Sequence, residues 1–258
     1  METIGSPLLW LVFAGVVIAA LLIDLVLMRH GGPHKVTFRE AAWWSLGWVA
    51  LAMAFNAWLW WYAGEQYGSE AGGRIGMEFL TGYLVEKALA VDNIFVFLMI
   101  FGYFAVPEVQ RQRVLVIGIV GAIALRAVLI FVGALLLAKF HWILYLFGAF
   151  LLFTGIKMWR AAGEPPSLEG NPVLRWVTGH LPFMRRYYGG ALWIGSGARR
   201  KFTPLFVVLV MIAVTDVIFA VDSIPAIFAI TADPFIVLTS NVFAVLGLRA
   251  MFFLLQGM

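Results

Sequence analysis

The sequence predicts an all-α polytopic membrane protein: a bundle of about seven transmembrane helices containing an internal repeat. Three observations carry this. Of 258 residues, 63% are hydrophobic and only 12% charged, against about 25% charged in a soluble domain. Apolar runs long enough to cross a hydrocarbon core of about 30 Å recur along the chain. One polar string also occurs twice inside such runs, as EKALAVDNIF from Glu86 and as DVIFAVDSIP from Asp216.

The spans fall at about 8–28, 42–62, 76–104, 114–138, 141–159, 203–231 and 236–258. The first follows METIGSPLLW, which lacks a basic n-region, so it reads as a retained helix rather than a cleaved signal. Loop charge alternates. Arg29, Lys35 and Arg39 follow the first span, while Glu65 and Glu70 outnumber Arg74 after the second. Arg111 and Arg113 follow the third, Lys139 and His141 the fourth, and only Asp233 precedes the last. The 160–202 loop carries Arg160, Arg175, Arg185, Arg186, Arg199, Arg200 and Lys201. Counting Lys and Arg alone places the N-terminus outside and this basic loop in the cytoplasm.

The formal charge of +4 therefore orients the chain in a lipid bilayer and gives no reason to expect nucleic acid. The loop is a cytoplasmic connector, and its YYGGALWIGSG segment is able to pack back on the membrane surface. Trp43, Trp44, Trp48, Trp58, Trp60 and Trp61 sit near the ends of the second span, as interfacial belts do. The chain reads as one transmembrane domain, 1–258, with repeat halves near 76–159 and 203–258.

There is no cysteine, which excludes disulfides and thiolate metal sites. The four histidines (His30, His34, His141 and His180) fall in or beside loops, so an imidazole site inside the membrane is not expected.

In the repeat, Glu86 aligns with Asp216, Ala90 with Ala220, Val91 with Val221, Asp92 with Asp222, Asn93 with Ser223 and Ile94 with Ile224. The next helix in each half carries Leu-Arg-Ala, at Leu125-Arg126-Ala127 and Leu248-Arg249-Ala250. The third and sixth spans are an odd number of crossings apart and run oppositely, so the repeat is inverted. Inverted repeats with polar midplane sites are a signature of secondary transporters.

Four carboxylates facing lipid would cost roughly 10–14 kcal/mol. Glu86, Asp92, Asp216 and Asp222 are therefore expected to face inward, with Lys87, Arg126 and Arg249 as partners. The sum, four acids against three cations, is hospitable to a divalent cation.

Residues seven apart lie within about 20° around a helix. Glu86 and Asn93 thus share a face, as do Asp216 and Ser223, whereas Asp92 and Asp222 point about 120° away from their partners. Either one acid ligates while the other pairs with arginine, or the helix breaks between them. Pro225 argues for a break in the sixth span, freeing the Val221 carbonyl. An oxygen-only donor set suits Mg²⁺, Ca²⁺ or Mn²⁺, and a buried carboxylate holding a proton would couple metal movement to the proton gradient. The bland alternative is a set of buried salt bridges between helices. Asp24 reads as interfacial, Asn56 as an interhelical hydrogen bond, Asn241 as a neighbour of the Arg249 cavity and Lys157 as snorkelling to the cytoplasm.

The strings EKALAVDNIFVF and TDVIFAVDSIPAIFAIT resemble the two signature segments of the TerC family, integral membrane proteins first linked to tellurium resistance. With FREAAWWS, GYLVEK and SNVFAVLGLRAMFFLL, the likeness covers essentially the whole chain and is nearest the Alx-type branch. The resemblance implies a manganese exporter of the bacterial inner membrane, with calcium as the alternative ion and a fold like the lysine-exporter superfamily. It implies Glu86, Asp92, Asn93, Asp216, Asp222 and Ser223 as metal ligands; the reading of the residues themselves adds Lys87, Arg126, Arg249 and Asn241 as charge-pairing or gating groups. Mn²⁺ is cargo, no cofactor is expected to bind tightly, and no residue is assigned a catalytic role. Family members usually continue for about two more helices, the first resembling Tyr145 to Trp159, so the second half is expected to be truncated.

Three other readings compete. A membrane scaffold would pass metal to a secretion or metallation partner from the same site. An oxyanion carrier would use Arg126 and Arg249. An intramembrane hydrolase would pair Asp92 with Asp222, although the chain has no GxGD string.

Overall fold

In the computed structural model, residues 3–30, 36–140, 142–160, 175–176, 179, 182, 184, 186–196 and 200–257 are described. All seven expected spans are helical. They begin with α1 (Pro7–His30), α2 (Phe38–Tyr67), α3 (Ser69–Tyr103), α4 (Glu108–Lys139) and α5 (Ile143–Arg160). A two-stranded antiparallel ribbon, β1 (Trp193–Ile194) and β2 (Lys201–Phe202), leads into α6 (Pro204–Phe228). The last span is divided at Gly247 into α7 (Pro234–Leu246) and α8 (Leu248–Gln256). His34, His141, His180 and most of 160–185 lie outside the described residues.

Four stretches are long and apolar enough to cross a membrane: Pro7–Val26, Glu108–Lys139, Pro204–Phe228 and Pro234–Gln256. The apolar part of α5, Ile143–Lys157, is shorter. With 30 and 35 residues, α2 and α3 exceed the thickness of a bilayer core at about 1.5 Å per residue.

Helix ends follow local chemistry. Thr37 caps α2 by accepting from the Glu40 amide at 3.3 Å, in a Thr-x-x-Glu capping arrangement. Pro204 and Pro234 open α6 and α7, where a missing N–H costs nothing. Asp233 caps α7 through the Phe235 amide at 2.8 Å, and also accepts from Thr3 Oγ1 (2.8 Å) and the Ile4 amide (2.7 Å). One carboxylate thus ties the start of the chain to the α6–α7 turn.

Every residue of α7 is buried, which makes it the central helix, packed by α3 and α4. Its Thr239 and Ser240 hydroxyls donate back to the carbonyls of Phe235 and Val237, so they need no outside partner. Two apolar cores flank the middle of the bundle. One joins α1, α2 and the outer turns of α3, α4, α6 and α7 around Phe13, Phe55, Phe79 and Phe243. The other gathers Ile94, Ile100, Leu115, Val208, Met211 and Phe252 toward the opposite end. Glycine lets α2 and α3 touch: a Cβ on Gly72 would lie 2.6 Å from the Gly64 nitrogen, and one on Gly76 2.6 Å from the Trp60 ring.

Two expectations are corrected here. α6 runs unbroken through Pro225 and ends three residues later, because a proline close to a helix C-terminus interrupts little of the ladder. The break lies instead at Gly247. The tryptophans are not all belt residues either. Trp43, Trp60 and Trp61 are exposed, but Trp48 is core and Trp58 stacks on Tyr62.

Candidate functional site

Four helices bring their buried polar side chains to the middle of the bundle. α3 supplies Glu86 and Asn93, α6 supplies Asp216 and Ser223, α4 supplies Arg126 and α7 supplies Asn241; all six are buried. The seven-residue spacing works as expected: each pair shares the inward face of a continuous helix.

Arg126 is completely buried and organises the group. Its Nη2 donates to Asp216 Oδ1 at 2.9 Å and its Nε to Asp216 Oδ2 at 3.4 Å. This is the fork geometry that guanidinium offers a carboxylate. Nη1 donates to Asn241 Oδ1 at 2.9 Å and also binds Glu86 Oε1. Two carboxylates against one guanidinium leave the centre with one net negative charge when all are ionised.

Its hydrogen bonding is incomplete. Glu86 Oε2, Asn93 Oδ1, Ser223 Oγ and Asn241 Nδ2 are buried without a partner. Buried polar atoms are nearly always satisfied, and each orphan costs about 1–3 kcal/mol. Three of these four atoms are oxygens on residues that the sequence marks as ligands.

The other predicted site residues lie elsewhere. Asp92 is on the exposed face of α3. Asp222 is half-buried on α6 and within electrostatic reach of Lys157, an exposed side chain near the end of α5. Lys87 donates to the Ala244 carbonyl at 3.2 Å, beside the α7–α8 break. Arg249 forms an ion pair with Asp24 on α1, a buried acid. Asn56 is buried, but its Oδ1 has no partner. Among the described residues, no three His, Cys, Asp or Glu side chains converge as a ready metal cluster.

Sequence reasoning missed Asp24 as the partner of Arg249. The signal was present in the charge of an acid inside the first apolar run, which needs a cation from elsewhere in the bundle.

Where α3 begins and α4 ends, a cavity of about 970 Å³ is lined by Arg74, Glu78, Ala134, Leu137, Ile230 and Asp233, among others. Glu78 and Ala134 each lie eight residues from a central side chain, Glu86 and Arg126, or about 12 Å along a helix. The cavity therefore sits above the centre, with Ile75, Ala134 and Ile236 among its apolar lining.

Fold and centre together define a polytopic helical membrane protein with a buried ionic cluster. The chain belongs to the TerC family: residues 71–258 match the integral membrane protein TerC family. It is 52% identical over 257 residues to proteins of Salmonella typhi and Escherichia coli (strain K12), each named "Putative membrane-bound redox modulator Alx". The match covers 100% of this chain and 80% of each relative. It is also 45% identical over 260 residues to "Uncharacterized membrane protein STKORF319" of Myxococcus xanthus, covering 100% of this chain and 79% of that protein. No solved structure matches the chain.

Proposed function

We propose that this protein exports a divalent cation, Mn²⁺ with Ca²⁺ as the alternative, across the bacterial inner membrane by alternating access. The carrying observation is the set of unpartnered buried oxygens, Glu86 Oε2, Asn93 Oδ1 and Ser223 Oγ, on a centre with excess negative charge. Carboxylate, amide and hydroxyl oxygens are hard donors that suit Mn²⁺, Mg²⁺ and Ca²⁺. Glu86, Asn93, Asp216 and Ser223 form the inner ligand set. Asp92 and Asp222 complete it only after their helices rotate, or act as relays along the path. The cavity marks the approach from one side, where buried Phe79, Tyr83, Ile130 and Ile227 must part for an ion to reach the centre, and the core around Ile100 and Val208 packs the other.

The halves act as inverted repeats, with the N-terminus outside and 160–202 in the cytoplasm. On that topology the cavity opens outward, as an exporter's release state requires. An oxyanion carrier fits less well, because Arg126 is already bound by two carboxylates and Arg249 by one. An aspartyl dyad fits less well too, since Asp92 lies on an exposed face while Asp222 is half-buried within electrostatic reach of Lys157. The redox role in the relatives' name has no thiol to act through in these 258 residues.

Mn²⁺ uptake into inside-out vesicles tests the reading, with the wild-type chain compared with Glu86→Gln and Asp216→Asn. Uptake that either variant abolishes, with normal membrane insertion, supports it. Undiminished uptake in both variants overturns the site, and no uptake by the wild type overturns the activity.

A further inference from the structure

The two Leu-Arg-Ala segments occupy matching positions of the repeat but adopt different structures. α4 passes unbroken through Leu125-Arg126-Ala127, and Arg126 lies on Glu86 and Asp216. In the other half the helix stops at Leu246 and restarts at Leu248, immediately before Arg249. Arg249 then turns to Asp24 on α1, outside both repeat halves. Lys87 stabilises the break by donating to the Ala244 carbonyl, near the C-terminal end of α7, where a cation is favoured. It fills the gap so closely that a Cβ on Gly247 would be 2.7 Å from its Nζ.

The two ends of the bundle differ in the same sense. Glu86 and Asp216 align with an offset of 130 positions (216 − 86), and the same offset matches Ile230 with Ile100. Ile230 lines the cavity at one end, whereas Ile100 is fully buried at the other. Two similar halves holding different conformations at matching positions show each half the other's alternative.

We propose that Asp24 is a positioning residue that parks Arg249 away from the acidic pair, and that transport exchanges the two arginines. In the opposite-facing state α7 and α8 join into one helix, Arg249 takes Glu86 and Asp216, and Arg126 withdraws with its own half. One guanidinium faces the acidic pair in either state, so the centre keeps its single net negative charge while the open end changes. This rests on the alternating-access reading above.

The chain has no cysteine, so single thiols report cleanly. Ile230→Cys and Ile100→Cys are each placed in the full chain in membrane vesicles. A membrane-impermeant thiol reagent is then applied to each face. Asp24→Asn releases Arg249, and is expected to raise the modification rate of the Ile100→Cys thiol about tenfold and lower that of the Ile230→Cys thiol. The swap Asp24→Arg/Arg249→Asp should restore both rates. Gly247→Ala acts at a separate point by crowding Lys87 and favouring a continuous helix, and should shift both rates in the same direction as Asp24→Asn.

Unchanged rates in both Asp24→Asn and Gly247→Ala would make the ion pair a static brace and overturn the exchange. Both rates rising together, without rescue by the swap, would indicate loosening and overturn it equally. Mn²⁺ uptake in the same vesicles separates the two claims. Exchanging rates without uptake leave the switch standing and remove the cation. Uptake with fixed rates removes only the switch.

Discussion

The Arg126 guanidinium lies 2.9 Å from Asp216 Oδ1 and binds Glu86 on a third helix with the same planar group. A fully buried arginine that binds two carboxylates is the main polar link between α3, α4 and α6. Removing the cation leaves two buried charges without compensation, which is costlier than never having had the cluster. Arg126→Ala is expected to destabilise the protein by roughly 3–5 kcal/mol. Arg126→Lys should fall between it and wild type, because one ammonium cannot reproduce the fork. Thermal unfolding in detergent checks both. Stability in Arg126→Ala equal to wild type would mean that the two acids do not share ionised states.

Ser223 separates a ligand from a structural residue. Its buried hydroxyl has no hydrogen-bond partner, so Ser223→Ala removes an unsatisfied group and breaks no contact. Stability is expected to hold or to rise by about 1 kcal/mol. If the proposed export holds, Mn²⁺ transport falls about tenfold, the equivalent of losing about 1.4 kcal/mol at one oxygen donor. A variant that unfolds more easily yet transports normally would assign the hydroxyl to packing.

Asp92 poses the opposite problem, because its side of α3 is exposed. A carboxylate facing lipid at mid-depth costs roughly 2.5–3.5 kcal/mol, so Asp92→Leu should leave the fold intact or stabilise it by up to about that amount. If Asp92 serves the cation path, transport falls while the melting temperature holds or rises. A lower melting temperature would instead reveal a partner covering this face.

The helices were legible from hydropathy and length, four of them as stretches long and apolar enough to cross a membrane, and the Arg126 centre was partly legible because acids in a membrane must find cations. Glu86, Asn93, Asp216 and Ser223 were legible as shared faces, since seven residues make nearly two turns. Arg249 was misplaced because the recurring Leu-Arg-Ala suggests equivalence with Arg126, and sequence does not show that the helix carrying Arg249 is interrupted at Gly247. Gly247 is the only local hint: a lone glycine in a helical run is compatible with either a break or close packing. Pro225 misled for a related reason, since its cost depends on how much helix follows, and only three residues do. Asp24 was read from its place near the end of a run, whereas its partner comes from the far end of the chain.

The ribbon at the other face makes a prediction of its own. Tyr187 donates its hydroxyl to the Phe104 carbonyl at 2.7 Å, across a turn where Ala105 takes a positive φ of 47°. This bond ties the segment before β1 to the end of α3, and Thr203 ties the following strand to Ala191 and Leu192. Partial burial pushes the Tyr187 phenol up to about 12 from its ordinary value near 10. The folded state therefore holds this proton more tightly than the unfolded one, so the contribution is complete below about pH 10 and is lost as pH rises toward about 12. Tyrosinate absorbance should include a late component from Tyr187, and Tyr187→Phe should remove that component. The variant should also make the ribbon easier to cleave at neutral pH, because Phe104 loses its donor while the strained turn beside it remains. An unchanged absorbance titration in Tyr187→Phe would place the late proton on another tyrosine. Unchanged cleavage would show that Thr203 and the ribbon's own pairing hold the segment in place without this bond.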